Sequence, residues 1–516
     1  MLRERTARPP ERGPGAAAVI ALTILAAALR FAGIGHQGVW FDEAYTVMLV
    51  KGSVGHMLAT IPRTESTPYL YYVLAWFWTH LFGRGAADLR ALSAVLGVGV
   101  IPVAHRVTLR LLGNRRAAVS VAALAACNPL LIWYSQEARA YELLVLTSAV
   151  TLLAFARARE RPSGGRLAAW VLACAIALVS HYDAALVIVP EAIWLLGAHR
   201  RRPAAWLAAL ATAACGGALL PLLIEQSNRG NASWIRKAAL NDRLGQILPQ
   251  FLVGTGSRGY RELAWLGFAL GALGLLWLAR AAGRAERRRA AGVGAMALGG
   301  FALVMAVDAA GSDTVLTRNL LALWLPLAIL LAAGFAVPRA GRLGIAATAA
   351  LCAIGLTGTV SVATVATLQR PDWAAVARAL GPWPRAGQPA GATRLLVFQR
   401  NVWLESLTQV YMTHTSPLEH GKPRRVTEID IIANRSPPGS NRHWLCWWGA
   451  ACNLYPSRLR ASYDIPGFRA VSRTRVRQFR ILRLVSARPR RVYQGQLKRA
   501  MHRAGLRLYG KLIQRP

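Results

Sequence analysis

Two adjacent carboxylates, Asp42 and Glu43, stand in the stretch Trp40-Phe41-Asp42-Glu43-Ala44-Tyr45, just beyond the first long apolar run of the chain. Carboxylates held at a membrane face are costly and mark functional positions. Acids are scarce, 23 Asp and Glu against 62 Lys and Arg, so two of them at one point carry information. Side by side, they suit one general base with an orienting or cation-binding partner. They do not suit the facing carboxylates that hydrolases place on opposite sides of a bond. The simpler alternative is that the pair caps a short helix in a loop.

Cationic and aromatic residues recur at the ends of later apolar runs: Arg90, Arg139 and Arg318, with Tyr45, Tyr134, His181 and Tyr182. Guanidinium forks hold a phosphate or diphosphate at headgroup level. A carboxylate beside such a site can take the proton of an acceptor hydroxyl while a lipid phosphate leaves. Displacement of this kind at a sugar's anomeric carbon needs positioning, one base and stabilisation of the leaving charge. The bland alternative for each arginine is that it only snorkels to the membrane rim.

The elements that must position these groups are membrane helices. The 516 residues are 54% hydrophobic, with a mean hydropathy of +0.32, and apolar runs of about 18 to 22 residues recur from Ala16 to about Leu368. The formal charge of +39 lies in Arg clusters between these runs and in the segment after them, and in a polytopic chain it answers to topology and anionic lipid rather than to nucleic acid. If clusters such as Arg115/Arg116, Arg200 to Arg202 and Arg287 to Arg289 are cytoplasmic, the short stretch Pro68 to Phe82 cannot cross. It then lies along the interface, as its aromatics suggest. The expected fold is an all-α polytopic membrane protein with about eleven spans. Two juxtamembrane helices, Glu43 to Ala59 and Pro68 to Phe82, lie in its first outer loop.

This bookkeeping divides the chain into a cytoplasmic tail at 1–15, a transmembrane catalytic domain at 16–366 with its first outer loop at 35–88, and two further parts. Residues 367–486 read as a small extracytoplasmic α/β domain, with strands at Thr393 to Phe398 and Phe479 to Val485 and a helix at Asp372 to Leu380. Residues 487–516 read as a basic amphipathic tail, a helix lying on anionic lipid or a disordered run, with Leu497, Met501, Leu508 and Leu512 on the apolar side. Cys446 and Cys452, the only cysteines outside the spans, are a candidate disulfide in an exported segment. No Cys, His and acid spacing makes a metal site.

Taken together and in order, these motifs resemble the membrane glycosyltransferases of the GT-C fold, and most nearly glycosyltransferase family 39. That family contains the protein O-mannosyltransferases and the aminoarabinose transferases. The pattern runs Trp-Phe-Asp-Glu-Ala-Tyr (40–45), Ser-Thr-Pro-Tyr-Leu-Tyr-Tyr (66–72), Leu-Arg-Ala-Leu-Ser-Ala (89–94) and Tyr-Ser-Gln-Glu-Ala-Arg (134–139). It continues with Ser-His-Tyr (180–182) and Arg-Asn-Leu-Leu-Ala-Leu-Trp-Leu-Pro (318–326). The resemblance implies an inverting transfer from a polyprenyl-phosphate sugar, mannose favoured, to a hydroxyl of a protein, lipid or glycan at the outer face. It implies Asp42 as general base beside Glu43, Arg90, Arg139 and Arg318 on the lipid phosphate, and membrane lipids as the surroundings. No cofactor is required, and a divalent metal stays open as an addition. Relatives place His or Lys before the Pro at Ser66-Thr67-Pro68, so a cation contact here would fall to Glu65. The competing class is a transporter or flippase of a lipid-linked sugar, although the acidic pair at a rim and the lack of an internal repeat weigh against it.

Overall fold

A computed structural model describes residues 14–386, 388, 392–399, 410–418, 424–434, 459–504 and 509–515 of the chain. The candidate disulfide Cys446–Cys452 lies outside the described residues, as does most of the N-terminal tail. The chain divides into two compact units. One comprises Met1–Ile34, Ser53–Gly83 and Ala87–Thr359, and the other Gly35–Gly52, Arg84–Ala86 and Val360–Pro516. The expected first outer loop is therefore not one piece, because its opening segment groups with the C-terminal unit.

The first unit is helical. Among the described residues eight helices are long and apolar enough to cross a membrane, from Ala86–Leu112 to Pro338–Thr364. A bent pair, Arg115–Cys127 and Pro129–Ser135, and two shorter apolar helices, Gly15–Phe31 and Gly164–Ser180, stand where the remaining spans were expected. The pair stands in place of a single straight span. It turns by 54° because Pro129 cannot donate to the helical ladder and disfavours helical backbone at the residue before it. The juxtamembrane region also differs from expectation. The helix expected from Glu43 to Ala59 is split into Phe41–Lys51 and Val54–Thr64, since Gly52 adopts an extended backbone and Ser53 caps the second piece through the His56 amide. The third helix, Leu70–Phe82, falls where it was expected.

Small residues let these helices approach one another. A Cβ on Gly334, in the helix Trp324–Phe335, would collide with the backbone carbonyl of Gly274 in the helix Tyr260–Ala281. In an apolar slab such close approach supplies the dispersion contact that hydrophobic transfer does not.

The second unit contains a six-stranded sheet: β1 (Arg394–Gln399), β2 (Thr415–Pro417), β3 (Arg424–Asn434), β4 (Arg469–Val476), β5 (Phe479–Val492) and β6 (Tyr509–Gln514), in the order β2-β6-β1-β3-β5-β4. Only β1 and β3 run parallel among the paired strands. Period-two alternation sends Leu396, Phe398, Ile432 and Ile481 to one face, under Trp373, Val376 and Leu380 of the helix Trp373–Leu380. Leu395, Val397, Ile431 and Leu482 face the other way, under Leu497 and Met501 of the helix Gln494–Arg503. Asp372 caps the first of these helices through the Ala375 amide.

This arrangement corrects the reading of residues 487–516 as a separate lipid-facing or disordered tail. Leu497 and Met501 are buried against the sheet, β5 continues to Val492, and β6 is hydrogen-bonded between β1 and β2. The amphipathic period was real, but its apolar side covers a sheet instead of lipid.

Two outcomes follow. Gly334→Val lowers the thermal midpoint of the detergent-solubilised protein by an amount equivalent to about 1–3 kcal/mol, whereas Gly197→Ala, where an added Cβ meets nothing, does not lower it. Removing residues 509–516 takes out an interior strand, so limited proteolysis cuts the C-terminal unit at far lower protease. Unchanged protection would contradict the sheet order.

Candidate active site

The helix break at Asn128–Pro129 builds much of the site in the first unit. It frees carbonyls that need partners within the protein, and two of them find one in Arg30. Arg30, fully buried, donates to the carbonyls of Ala125 (3.0 Å) and Ala126 (3.2 Å). The Asn128 side chain caps the next helix through the Leu130 and Leu131 amides and donates to the Phe251 carbonyl at 2.7 Å. Gly97 leaves the space for these groups: a Cβ there would meet Ser135, Glu142 Oε2 (2.7 Å) and Arg30 Nε (3.0 Å).

After the break the chain runs through Pro129–Ser135 into the turn carrying Gln136 to Arg139. Gln136 Nε2 donates to the carbonyls of Arg30 (3.1 Å) and Ala32 (2.9 Å) at the end of the first helix, which pins the turn. Arg139 then reaches Glu65, with Nη1 2.7 Å from Oε2. Glu65 ends the helix Val54–Thr64 and is 1% exposed. The Tyr72 hydroxyl donates to the same carboxylate at 2.5 Å. Burial pushes the Tyr72 hydroxyl well above its ordinary range, with Arg139 opposing and Glu65 adding to the rise, so it remains a donor. Tyr71, beside it, shares a hydrogen bond with Ser93 at 2.9 Å.

A second cation, Arg318, lies beside two aromatic rings. The Arg318 guanidinium lies 5.9 Å from the Tyr141 ring centre and 5.2 Å from that of Trp234. Tyr134 and Tyr141 are in ring contact at 4.6 Å, and Tyr141 and His181 at 6.0 Å. His181 sits between the helices Gly164–Ser180 and Tyr182–His199. Burial, and then the charges of Arg139 and Arg318, push its pKa down to about 3. The imidazole is therefore neutral, and its Nδ1 accepts from the Asp183 amide at 3.2 Å. Arg90 is also buried, and its Nη1 donates to the Ile34 carbonyl at 2.9 Å, just before the chain enters the acidic segment.

The acidic pair belongs to the second unit. Glu43 is the third residue of the helix Phe41–Lys51, and its carboxylate folds back to accept from the Trp40 amide at 3.3 Å. It is 1% exposed, whereas Asp42 and Tyr45 are half-buried. Tyr45 meets Phe41 edge to face at 5.2 Å. The segment is tied down within its own unit. The Val39 amide donates to the Tyr411 hydroxyl at 2.7 Å, and the Arg370 amide donates to Gln37 Oε1 at 2.8 Å. A Cβ on Gly38 would touch Tyr411 and the start of the helix Trp373–Leu380.

Of the residues singled out in the sequence, Arg139, Arg318, Tyr134 and His181 come together within the first unit. Glu65, a candidate cation ligand, is the partner of Arg139. Among the described residues no group of three or more His, Cys, Asp or Glu has the geometry of a metal site. Trp234, Tyr411 and Gln226 escaped notice, since none lies in a recognisable motif; only their long-range contacts mark them.

Residues 66–223 match the family model described as dolichyl-phosphate-mannose-protein mannosyltransferase. No curated protein matches the sequence. Among solved structures, ArnT from Cupriavidus metallidurans bound to undecaprenyl phosphate is 12% identical, with 90% of this chain and 97% of that one covered at a TM-score of 0.49. The apo form of ArnT from the same organism gives 14% identity, 76% and 84% coverage, and a TM-score of 0.47. The Saccharomyces cerevisiae protein O-mannosyltransferase Pmt1-Pmt2 complex bound to the sugar donor gives 17% identity over 41% of this chain, at a TM-score of 0.32. This chain spans 32% of the length of that yeast chain. By the family model and by its ordered motifs, the chain is similar to the membrane glycosyltransferases of the GT-C type.

Proposed function

We propose that the protein transfers a sugar, mannose favoured, from a polyprenyl-phosphate-linked donor to a hydroxyl acceptor on a protein, lipid or glycan. The observation that carries this reading is the Arg318 guanidinium 5.9 Å from the Tyr141 ring, which contacts Tyr134 and His181, with Arg139 held by Glu65 in the same stretch of motifs. Guanidiniums set beside aromatic rings in this way suit a phosphate leaving from a lipid.

In this reading Asp42 takes the proton of the acceptor hydroxyl as its oxygen attacks the anomeric carbon. The bond from that carbon to the phosphate oxygen breaks with inversion, and the phosphate leaves on the lipid with its charge held by Arg139 and Arg318. Arg90 orients the chain that leads to the acids. Tyr45, Tyr134 and Tyr182 supply sugar and acceptor contacts. The transfer is a displacement, so it draws on no redox or nucleotide cofactor. The site and the C-terminal unit face outward and the N-terminus is cytoplasmic, as the Arg distribution requires.

Asp42 and Glu43 have separable roles. Asp42→Asn should remove at least about a hundredfold of turnover at unchanged stability, as loss of a general base does. Glu43→Ala should cost about 1 kcal/mol of stability by removing a helix cap, and Glu43→Gln, which keeps an accepting oxygen, should cost less. The test follows radiolabelled polyprenyl-phosphate-mannose in membranes carrying each variant. Label lost in the wild type and retained with Asp42→Asn supports the reading. Equal turnover in both eliminates Asp42 as base. No turnover in either, at full expression, removes mannose as the sugar and favours transport.

Tyr411→Phe deletes only the hydroxyl that receives the Val39 amide. It should lower kcat several-fold while leaving the donor KM near that of the wild type, because the acid segment loosens and the arginines are untouched. A changed KM at unchanged kcat would refute that division.

A further inference from the structure

Gln226 lies near the end of the helical segment Pro203–Asn228, outside every motif, and is 3% exposed. Both ends of its amide are engaged. Nε2 donates to the Thr67 carbonyl at 3.0 Å and lies 3.5 Å from the Ile61 carbonyl, while Oε1 accepts from the Tyr182 hydroxyl at 2.8 Å. The Thr67 hydroxyl is 3.0 Å from that of Tyr72, Tyr72 donates to Glu65, and Glu65 holds Arg139. One buried polar chain therefore runs from Tyr182, next to His181, through Gln226, Thr67, Tyr72 and Glu65 to Arg139.

The chemistry of the position asks for glutamine. It needs a donor for a buried carbonyl and an acceptor for a phenol, on one neutral group of this length. A glutamate would set a carboxylate against the Thr67 carbonyl, and a leucine would leave both partners unpaired in a dry place. The turn it grips, Glu65 to Pro68, has no other side chain from the span region on its Thr67 carbonyl among the described contacts.

We infer that Gln226 is a positioning residue. It fastens the turn after the helix Val54–Thr64 to the loop bearing His181 and Tyr182, and so sets where Glu65 holds the Arg139 guanidinium. Its consequence for catalysis rests on the reading of Arg139 as a ligand of the donor phosphate. Its structural part does not.

The experiment uses full-length protein in lipid nanodiscs, with Gln226→Leu, Tyr182→Phe and wild type compared by two measurements. Hydrogen exchange over residues 61–72 reads the fastening without any donor. It should quicken about tenfold or more in Gln226→Leu, stay near wild type in Tyr182→Phe, which keeps the Thr67 bond, and leave the helix Tyr260–Ala281 unaffected. Binding of undecaprenyl phosphate then reads the site, with affinity falling about tenfold in Gln226→Leu and non-additively with Tyr72→Phe, as members of one network behave. Exchange that is unchanged in Gln226→Leu, or quickened throughout the bundle, overturns the inference. Additive loss with Tyr72→Phe overturns the relay. If the wild type binds no polyprenyl phosphate, the donor reading fails, and hydrogen exchange still decides the role of Gln226.

Discussion

Within an apolar slab a backbone carbonyl or amide freed from its helix has no water to turn to, and each must find a partner inside the protein. The break at Asn128–Pro129 creates such a demand, and the surrounding structure answers it. Arg30 takes the carbonyls on one side of the break, the Asn128 side chain takes the amides on the other, and Gly97 leaves room for Arg30 beside Glu142. The bend that results points the next turn toward Glu65. The position of Arg139 is thus a consequence of satisfying a broken helix, and Gln136, tied to the end of the first helix, fixes it further.

The same economy of partners shapes the polar groups beyond the break. Glu65 is shared between a guanidinium and a phenol, His181 accepts from a backbone amide, and Gln226 uses both ends of its amide. Buried groups satisfied in this way are rigid, because leaving any one of them unpaired costs more than the bond itself contributes. A site that meets a charged lipid headgroup, as proposed here, gains from such stiffness, since its donors are in place before the ligand arrives.

The acidic segment is governed by different physics. Its backbone is anchored by the hydroxyl of Tyr411, its Gln37 side chain accepts from the amide of Arg370, and one of its two carboxylates closes the first turn of its own helix. Of the two acids, Glu43 caps its helix and Asp42 is half-buried. The C-terminal unit is therefore more than an appendage to the membrane helices: it holds the residues on which the proposed proton transfer depends.

The sequence by itself determined the apolar helices, the helix Leu70–Phe82 and the run of motifs, because hydropathy and local spacing report directly on helix formation and burial. The strands near Thr393 and Phe479 and the helix behind Asp372 were equally legible, being set by alternation and a cap. It could not say that Gly52 and Ser53 would split a helix, that Asn128–Pro129 would bend one by 54°, or that Glu43 would fold back as a cap. Nor could it separate an amphipathic helix on lipid from one on a sheet, since Leu497 and Met501 show the same period in both cases. Only the tertiary structure decided which partners met: Glu65 with Arg139, Gln226 with Thr67 and Tyr182, and β6 between β1 and β2. The physical reason is that a hydrogen bond between residues 44 to 159 positions apart leaves no trace in local composition, and only the folded chain brings its two ends together.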